Sequence, residues 1–384
     1  MIEIKEKYKC SGCHACFNKC PKKAITMKED ENGFKYPIVD KEKCINCGLC
    51  QKVCPIINNR NNENKPKIYV GYNTNEEVRL KSSSGGVFTL IAKEILDRGG
   101  VVFGAAFDSE FLVSHIYIEN LSEIEKLRTS KYFQSIIGDS YKKAKDFLDN
   151  GRYVLFTGTP CQIEGLLSFL GKDYERLYTQ DIVCHGVPST KVWKKYMEYR
   201  LEKDKEKPLN INFRDKRQEG WHMFSLSFKY KNNEYSKNQK QDLFMRAFLK
   251  DVCLRDSCYN CSFRKEHRLS DITLADCWGI KNIKPEFDDN KGVSLVMINS
   301  NKGKELFESI SESFKSYETT LDKAIMSNPA IIKSPNNNKY REEFFKNIDD
   351  MSFDKLVNKY APNPSIVKRG IKKIKRIIKK IIKK

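Results

Sequence analysis

Apolar and polar positions alternate with two different periods along this chain. "VFTLIAKEIL" (87–96) repeats apolar residues every three or four positions, which predicts a helix, and "GGVVFGAAF" (99–107) reads as a turn entering a buried strand. "SEIEKLR" (122–128) places Ser122 and Glu125 at capping-box spacing and predicts a helix start. "YKKAKDFLDNG" (141–151) reads as a helix closed by glycine. "RYVLFTGTP" is a strand running into a tight turn, followed by the helix "CQIEGLLSFLG". "LYTQDIVCHGVPS" repeats the strand-to-loop step before the helix "TKVWKKYMEYRLEK". This alternation predicts an α/β core. Beyond Pro208 the pattern is mixed: "FSLSFKYKNNEYS" as strands about an Asn-Asn turn, "QDLFMRAFLKD" as a helix, then the strands "DITLADCW" and "VSLVMINS". Two short helices are expected over 339–360. At the other end, residues 1–57 offer only short apolar pieces ("AITM", "YPIV"), and "NNRNNENKPK" (58–67) reads as a linker.

The cysteines of that first segment change the picture. Cys10, Cys13, Cys16 and Cys20 stand before Pro21 in a C-x2-C-x2-C-x3-C-P run, and Cys44, Cys47, Cys50 and Cys54 before Pro55 repeat it. Three thiolates two residues apart wrap one corner of a cubane cluster, and the fourth ligates the other cluster. The expected sets are therefore Cys10, Cys13 and Cys16 with Cys54, and Cys44, Cys47 and Cys50 with Cys20. Soft thiolates favour iron–sulfur over hard cations. A pair of structural zinc sites is the competing reading, though zinc usually takes two CxxC pairs or Cys/His mixtures.

Six cysteines remain. "CLRDSCYNC" (253–261) and Cys277 would on spacing alone form one set: Cys253, Cys258, Cys261 and Cys277. Cys161 and Cys184 each follow a predicted strand, and residues past strand C-termini converge on one sheet edge where ligands bind. They can meet the CxxC there, or be inert buried thiols. "SSSGGVF" sets hydroxyls and glycines before a helix, a phosphate seat or an ordinary helix cap.

The chain has 384 residues, 40% hydrophobic and 31% charged, with 14 cysteines, which suits a soluble globular protein. No apolar run approaches the roughly 18–20 residues of a spanning helix. The start lacks an apolar signal core, so a cytoplasmic protein is expected, where thiols serve metals or redox chemistry rather than disulfides. The net charge is +20. The last twenty residues, 365–384, hold ten Lys/Arg and no acid, half of that excess. There Val367, Ile371, Ile374, Ile378 and Ile381 form a stripe widened by Ile377 and Ile382, which reads as a basic amphipathic helix for an anionic membrane surface. Docking on the protein itself is the alternative, and nucleic acid is not expected, because base contacts call for aromatic or polar groups.

The motifs "KSSSGGVFTLIA", "RTSKYFQS", "GRYVLFTGTPCQIEGL", "DIVCHGVPS", "INFRDKRQEGW", "CYNC" and "SDITLADCWGI", in this order, give a chain that resembles the coenzyme F420 hydrogenase/dehydrogenase beta-subunit family in its form with an N-terminal dicluster ferredoxin. The resemblance covers roughly residues 1–315. It implies an iron–sulfur flavoprotein oxidoreductase moving electrons between a ferredoxin or another redox protein and, through FAD, a hydride-accepting substrate, which could be a small molecule or a lipid-linked one. It selects Cys161, Cys184, Cys258 and Cys261 as a third [4Fe–4S] set beside the two N-terminal clusters, and leaves Cys253 and Cys277 as bystanders. It places the flavin on Ser82, Ser83, Ser84, Gly85 and Gly86 and on Lys131, Tyr132, Gln134 and Ser135. There a cation near the flavin N1 side stabilises the reduced ring. His185 is a candidate proton donor, with helix capping or a bond near the cluster as its structural alternative. The expected class is α+β and α/β. It comprises a dicluster ferredoxin-like domain (1–57), a linker (58–67), a mixed α/β flavin- and cluster-binding domain (68–150 and 151–338), a helical extension (339–364) and the basic helix (365–384), which would hold the protein peripherally on the inner membrane surface. A non-catalytic electron-transfer subunit and an iron–sulfur nucleic-acid-binding protein are the rival readings.

Overall fold

The computed structural model describes residues 1–363. The basic segment 365–384, and with it the expected membrane-surface helix, lies outside the described residues.

The cysteine-rich segment folds into two short helices, α1 (Ala15–Lys19) and α2 (Leu49–Lys52), and one antiparallel hairpin, β1 (Ile25–Glu29) with β2 (Lys35–Val39). Each helix is entered through a residue with positive φ, His14 (+64°) and Gly48 (+73°), so the CxxC turns wind tightly enough to gather their thiols. The expected linker has no regular structure but is tied down. Asn62 and Asn64 donate to the Arg268 carbonyl at 2.9 and 3.3 Å, Lys265 donates to the Arg60 carbonyl at 2.8 Å, and His267 bonds the Asn64 carbonyl.

An eight-stranded mixed sheet follows. Its strands are β3 (Lys67–Asn73), β4 (Val101–Phe107), β5 (Val113–Ile118), β6 (Val154–Gly158), β7 (Leu177–Ile182), β11 (Ile272–Asp276), β12 (Ser294–Ile298) and β13 (Phe314–Thr319), in the order β13-β3-β12-β11-β7-β6-β4-β5. Strands β4, β6, β7 and β11 run parallel, and the flanking strands are antiparallel. Between β7 and β11 the chain forms a separate three-stranded antiparallel sheet of β8 (Asn210–Asp215), β9 (Ser225–Lys229) and β10 (Glu234–Asn238). Its Asn232-Asn233 turn matches the expected hairpin.

Helices cover both sheets: α3 (Glu76–Lys81), α4 (Val87–Asp97), α5 (Ser140–Asp149), α6 (Pro160–Leu170), α7 (Thr190–Asp204), α8 (Leu243–Leu249), α9 (Asn301–Ser309), α10 (Leu321–Ser327), α11 (Arg341–Lys346) and α12 (Phe353–Tyr360). The periodicity of 87–96 shows why α4 forms: Val87, Ile91, Ala92 and Ile95 are all fully buried against the large sheet. Each large aliphatic side chain so buried contributes roughly 1.5–3 kcal/mol. α11 and α12 confirm the two short helices expected over 339–360, and they close the core of the smaller sheet through Phe344, Leu356 and Tyr360.

Ser122 and Glu125 do not form a capping box. The segment Leu121–Lys126 is a single 3-10 turn with no side-chain cap, and Glu125 instead pairs with Arg128 at 2.6 Å. Apolar positions beyond Ile124 and Leu127 run out before a helix can propagate. The capping box lies on α6, where Thr159 and Gln162 satisfy each other's backbone N–H groups.

Among the described residues no helix is long and apolar enough to cross a membrane.

Candidate functional site

The loops that leave β6, β7 and β11 carry Cys161, Cys184 and Trp278, and they open on one cavity of about 1160 Å³. Parallel strands deliver their C-terminal ends to the same edge, so residues far apart in sequence become neighbours there. Cys161, Cys184, Cys258 and Cys261 all line this cavity. Their charges are felt mutually: burial first, then Cys184 and Cys261, push the Cys258 thiol up to about 12, while burial and the neighbouring Cys261 and Cys184 raise Cys161. Cys253 and Cys277 are fully buried in two separate apolar cores and do not reach the cavity, so the grouping that spacing alone gives is not the one the fold makes.

The N-terminal thiols fall into two further groups. Cys20, Cys44, Cys47 and Cys50 line one small cavity. Burial raises the Cys13 thiol to about 12, and Cys10 and Cys54 add to that rise; Cys16 is raised by burial and by Cys13, Cys10 and Cys54. Cys54 is thus felt by Cys13 and Cys16, while Cys20 shares the small cavity with Cys44, Cys47 and Cys50. Buried thiols shifted upwards stay protonated unless a cationic centre compensates the thiolates. Backbone N–H groups already point at several sulfurs: Ile2 at Cys50 (3.2 Å), Ala24 at Cys20 (3.2 Å) and Gly186 at Cys184 (3.3 Å). Such bonds tune iron–sulfur clusters. No three His, Cys, Asp or Glu side chains among the described residues gather as a site for a single metal ion. The doubled four-cysteine motif supplies the thiolate donor type that cubane clusters take.

α6 joins the first of these groups to the cavity. Gly165 lies so close to the ferredoxin-like domain that a Cβ there would stand 3.0 Å from the Cys13 Cβ and 2.9 Å from the Tyr141 hydroxyl. Cys161 begins this same helix, and Cys54, from the first thiol group, lines the large cavity. Arg255 fixes the contact. Its fully buried guanidinium donates to the carbonyls of Cys10 (2.8 Å) and Lys35 (3.0 Å) and to Gln134 Oε1 (3.0 Å).

The Ser/Gly loop forms one wall. Ser82, Ser83, Ser84 and Gly86 line the cavity, and α4 starts at Gly86 (φ +85°) with no side-chain cap on its first-turn N–H groups. The individual roles differ from those expected. Ser82 donates to the Val78 carbonyl and ends α3, and Ser84 donates to the Val293 carbonyl. Gly85 does not line the cavity: a Cβ there would meet the Gly71 carbonyl at 2.6 Å, so it serves strand packing. Ser83 accepts from Ser130 N–H at 2.8 Å and ties this loop to the second one.

Lys131, Tyr132, Gln134 and Ser135 also line the cavity. Lys131 Nζ donates to the carbonyls of Leu127, Arg128 and Thr129, and burial lowers its pKa to about 7. Gln134 donates to the Ser11 carbonyl at 3.0 Å, so it bridges domains rather than standing free to orient a ring. Ser135 Oγ meets His115 Nδ1 at 2.7 Å. His185 Nε2 contacts Asp251 Oδ1 at 2.6 Å, and its ring stands edge-on to Phe248, with the side chain 39% exposed on the cavity wall.

Sequence reasoning gave Arg214 no role. Here it is a hub. Its buried guanidinium donates to the Ser83 carbonyl (3.1 Å), the Tyr132 hydroxyl (3.2 Å) and Asp276 Oδ1 (2.8 Å), and lies over the Phe224 ring at 3.9 Å. Asp276 also accepts from Trp221 Nε1 at 2.7 Å, and Trp221 stacks on Trp278 with centroids 4.9 Å apart and planes 8° apart. Only the residue type in "NFRDK" hinted at this; its partners lie 62 to 131 positions away. Among the described residues, Arg128 Nε, Arg214 Nε and Gln180 Oε1 belong to cavity-wall residues and are buried without a hydrogen-bond partner.

Residues 9–56 match the 4Fe-4S dicluster domain. Residues 68–138 match the N-terminal part, and residues 151–323 the C-terminal part, of the coenzyme F420 hydrogenase/dehydrogenase beta subunit. The coenzyme F420-dependent sulfite reductase of Methanocaldococcus jannaschii is 25% identical over 189 residues, 48% of this chain and 29% of that protein. The F component of the F(420)H(2) dehydrogenase of Methanosarcina mazei is 21% identical over 173 residues, 42% of this chain and 49% of that one. The chain thus spans less than half the length of either relative. A chain of the F420-reducing [NiFe] hydrogenase complex from Methanosarcina barkeri superposes with a TM-score of 0.49 at 16% identity, over 79% of this chain and 97% of that one. With both beta-subunit models matched in order behind a dicluster domain, the chain belongs to the coenzyme F420 hydrogenase/dehydrogenase beta-subunit family.

Proposed function

We propose that this protein is an iron–sulfur flavoprotein oxidoreductase. It passes single electrons from a redox-protein donor through its two N-terminal thiol sets to a third, and on to a hydride-accepting substrate in the large cavity. One observation carries the reading: a single cavity is lined by the Ser/Gly loop, the Lys131–Ser135 loop, four cysteines from the large domain and Cys54 from the ferredoxin-like domain. When bound, FAD would supply the exchange between one-electron and two-electron chemistry. Cys161, Cys184, Cys258 and Cys261 would hold the third cluster. The uncapped first turn of α4, with Ser83, would bind phosphate oxygens. Arg214 holds the two loops at fixed separation through the Ser83 carbonyl and the Tyr132 hydroxyl. Lys131, with a pKa brought to about 7 by burial, keeps or gives a proton near neutral pH. Asp251 engages His185 Nε2 and orients the imidazole on the cavity wall, where it is the candidate proton donor to the substrate.

Anaerobic purification with iron, sulfide and flavin counted per chain tests this. About twelve iron and one FAD are expected, from three cubane clusters beside one flavin. About eight iron and no flavin would overturn the enzyme reading and leave an electron-transfer subunit.

A further inference from the structure

We propose that the face around Cys20, Cys44, Cys47 and Cys50 is the docking surface for a small acidic one-electron carrier, such as an acidic ferredoxin. The inference rests on the reading above that these thiols hold a cluster.

The two N-terminal thiol sets differ in position. Cys13 and Cys16 of the inner set are buried, and Arg255, Gln134 and Gly165 press the large domain against that side. The other set faces outwards: among the described residues Cys47 is the one exposed cysteine. Electron transfer needs close approach, and the thiolate at the surface is the place where an external carrier comes closest.

The surroundings of Cys47 have a definite character. Lys22 stands on the wall of the small cavity itself. Lys23, Lys41 and Lys52 are exposed on the turns that carry Cys20, Cys44 and Cys50, and none of the four lysines is held in an ion pair among the described residues. Lys43 is already neutralised by Asp40 at 2.8 Å. The centre is uncharged: Ile45 is 57% exposed, Asn46 is exposed beside it, and Gly48 has open space where a Cβ would be. A polar, charged rim about an apolar centre is the anatomy of a transient protein interface. The cations select and steer an anionic partner, and the apolar centre gives the contact itself. In the transfer the carrier loses one electron and the outer thiol-held centre gains it. No bond or proton moves.

The test uses the full-length, cluster-loaded protein. Its reduction is followed by stopped-flow absorbance with two donors: a chemically reduced acidic [2Fe–2S] ferredoxin, and a mono-sulfonated viologen, a small donor whose one-electron-reduced form carries no net charge. The wild-type rate with ferredoxin is expected to fall at least tenfold between low and moderate salt, because exposed charges are screened over about 10 Å at 0.1 M. The Lys22→Glu/Lys52→Glu pair is expected to lower the low-salt ferredoxin rate at least tenfold. It should leave the viologen rate and the iron count unchanged, and Lys22→Arg/Lys52→Arg should transfer as wild type does. A ferredoxin rate that ignores salt, or a Glu pair as fast as wild type with full iron, overturns the docking surface and leaves the cluster reading intact. A preparation short by the iron of one cluster, with Cys47→Ser removing no more, overturns the cluster reading itself and the docking surface with it.

Discussion

Arg255 shows what a single side chain can do here that no pattern in the sequence announces. It sits between Cys253 and Cys258 in "CLRDSC", where the thiols draw attention, yet its partners are 121 to 245 residues away. Replacing it by Gln would leave the buried carbonyls of Cys10 and Lys35 without their donor. Charge-assisted bonds of this kind are worth roughly 1.5–3 kcal/mol each, so Arg255→Gln should lower the stability of the whole chain by roughly 3 kcal/mol or more, read by denaturant unfolding. Arg255→Lys should recover only part, since an ammonium cannot serve three directions in one plane. Glu164 makes a different prediction. It is buried on α6, Lys265 Nζ is 4.0 Å away and Oε2 has no partner; burial raises its pKa to about 7. Between the ordinary carboxyl range and about 7 the unfolded chain releases this proton and the folded chain keeps it, so stability falls as pH rises across that window. Glu164→Gln should therefore match wild type in acid and exceed it above pH 7 by on the order of 3 kcal/mol, from 1.36 kcal/mol per pKa unit. Melting curves against pH would show the gap open between those limits. The eight N-terminal cysteines carry a local spacing rule. Gln134 and Arg214 act through partners that no local rule can name.

At the scale of elements, periodicity located α4, α6, α7 and the β9–β10 hairpin because their apolar faces meet continuous cores. It missed β5 and β8, although each pairs with its neighbour in the chain, β4 and β9, and it misjudged 122–128, where a cap signal had no helix behind it. α6 is the element on which the site depends most. It carries Cys161 at its first turn and lies against Cys13 through Gly165. A β-branched side chain at 165 would drive the helix from the ferredoxin-like domain, because the contacted atoms belong to Cys13, a ligand in the proposed function, and to the buried Tyr141. Gly165→Val should lose the iron of the inner N-terminal cluster, about four of twelve atoms, while the outer set keeps its own. Iron analysis together with the cluster's electron spin resonance signal would separate that outcome from general unfolding.

For the whole molecule, the sequence indicates strands and helices but not the order in which eight strands assemble, since non-neighbouring strands such as β3 and β12 pair across more than two hundred residues. The segment 58–67 is the clearest case. Its composition is that of a tether, yet Asn62, Asn64 and Arg60 are bonded to the loop 265–268, so the two parts of the chain hold one relative position. Asn64→Ala should speed tryptic cleavage after Arg60 severalfold in the native protein; an unchanged cleavage rate would show that these bonds do not restrain the segment. The same fixed assembly gives the molecule an optical property. It has three tryptophans. Trp193 is sealed in the core of the smaller sheet, whereas Trp278 stands 38% exposed on the cavity wall, stacked on Trp221. An absorbing guest in the cavity lies against this stacked pair, so filling the cavity dims the emission of the protein. The ultraviolet emission of the untouched protein is thus a gauge of how full its cavity is.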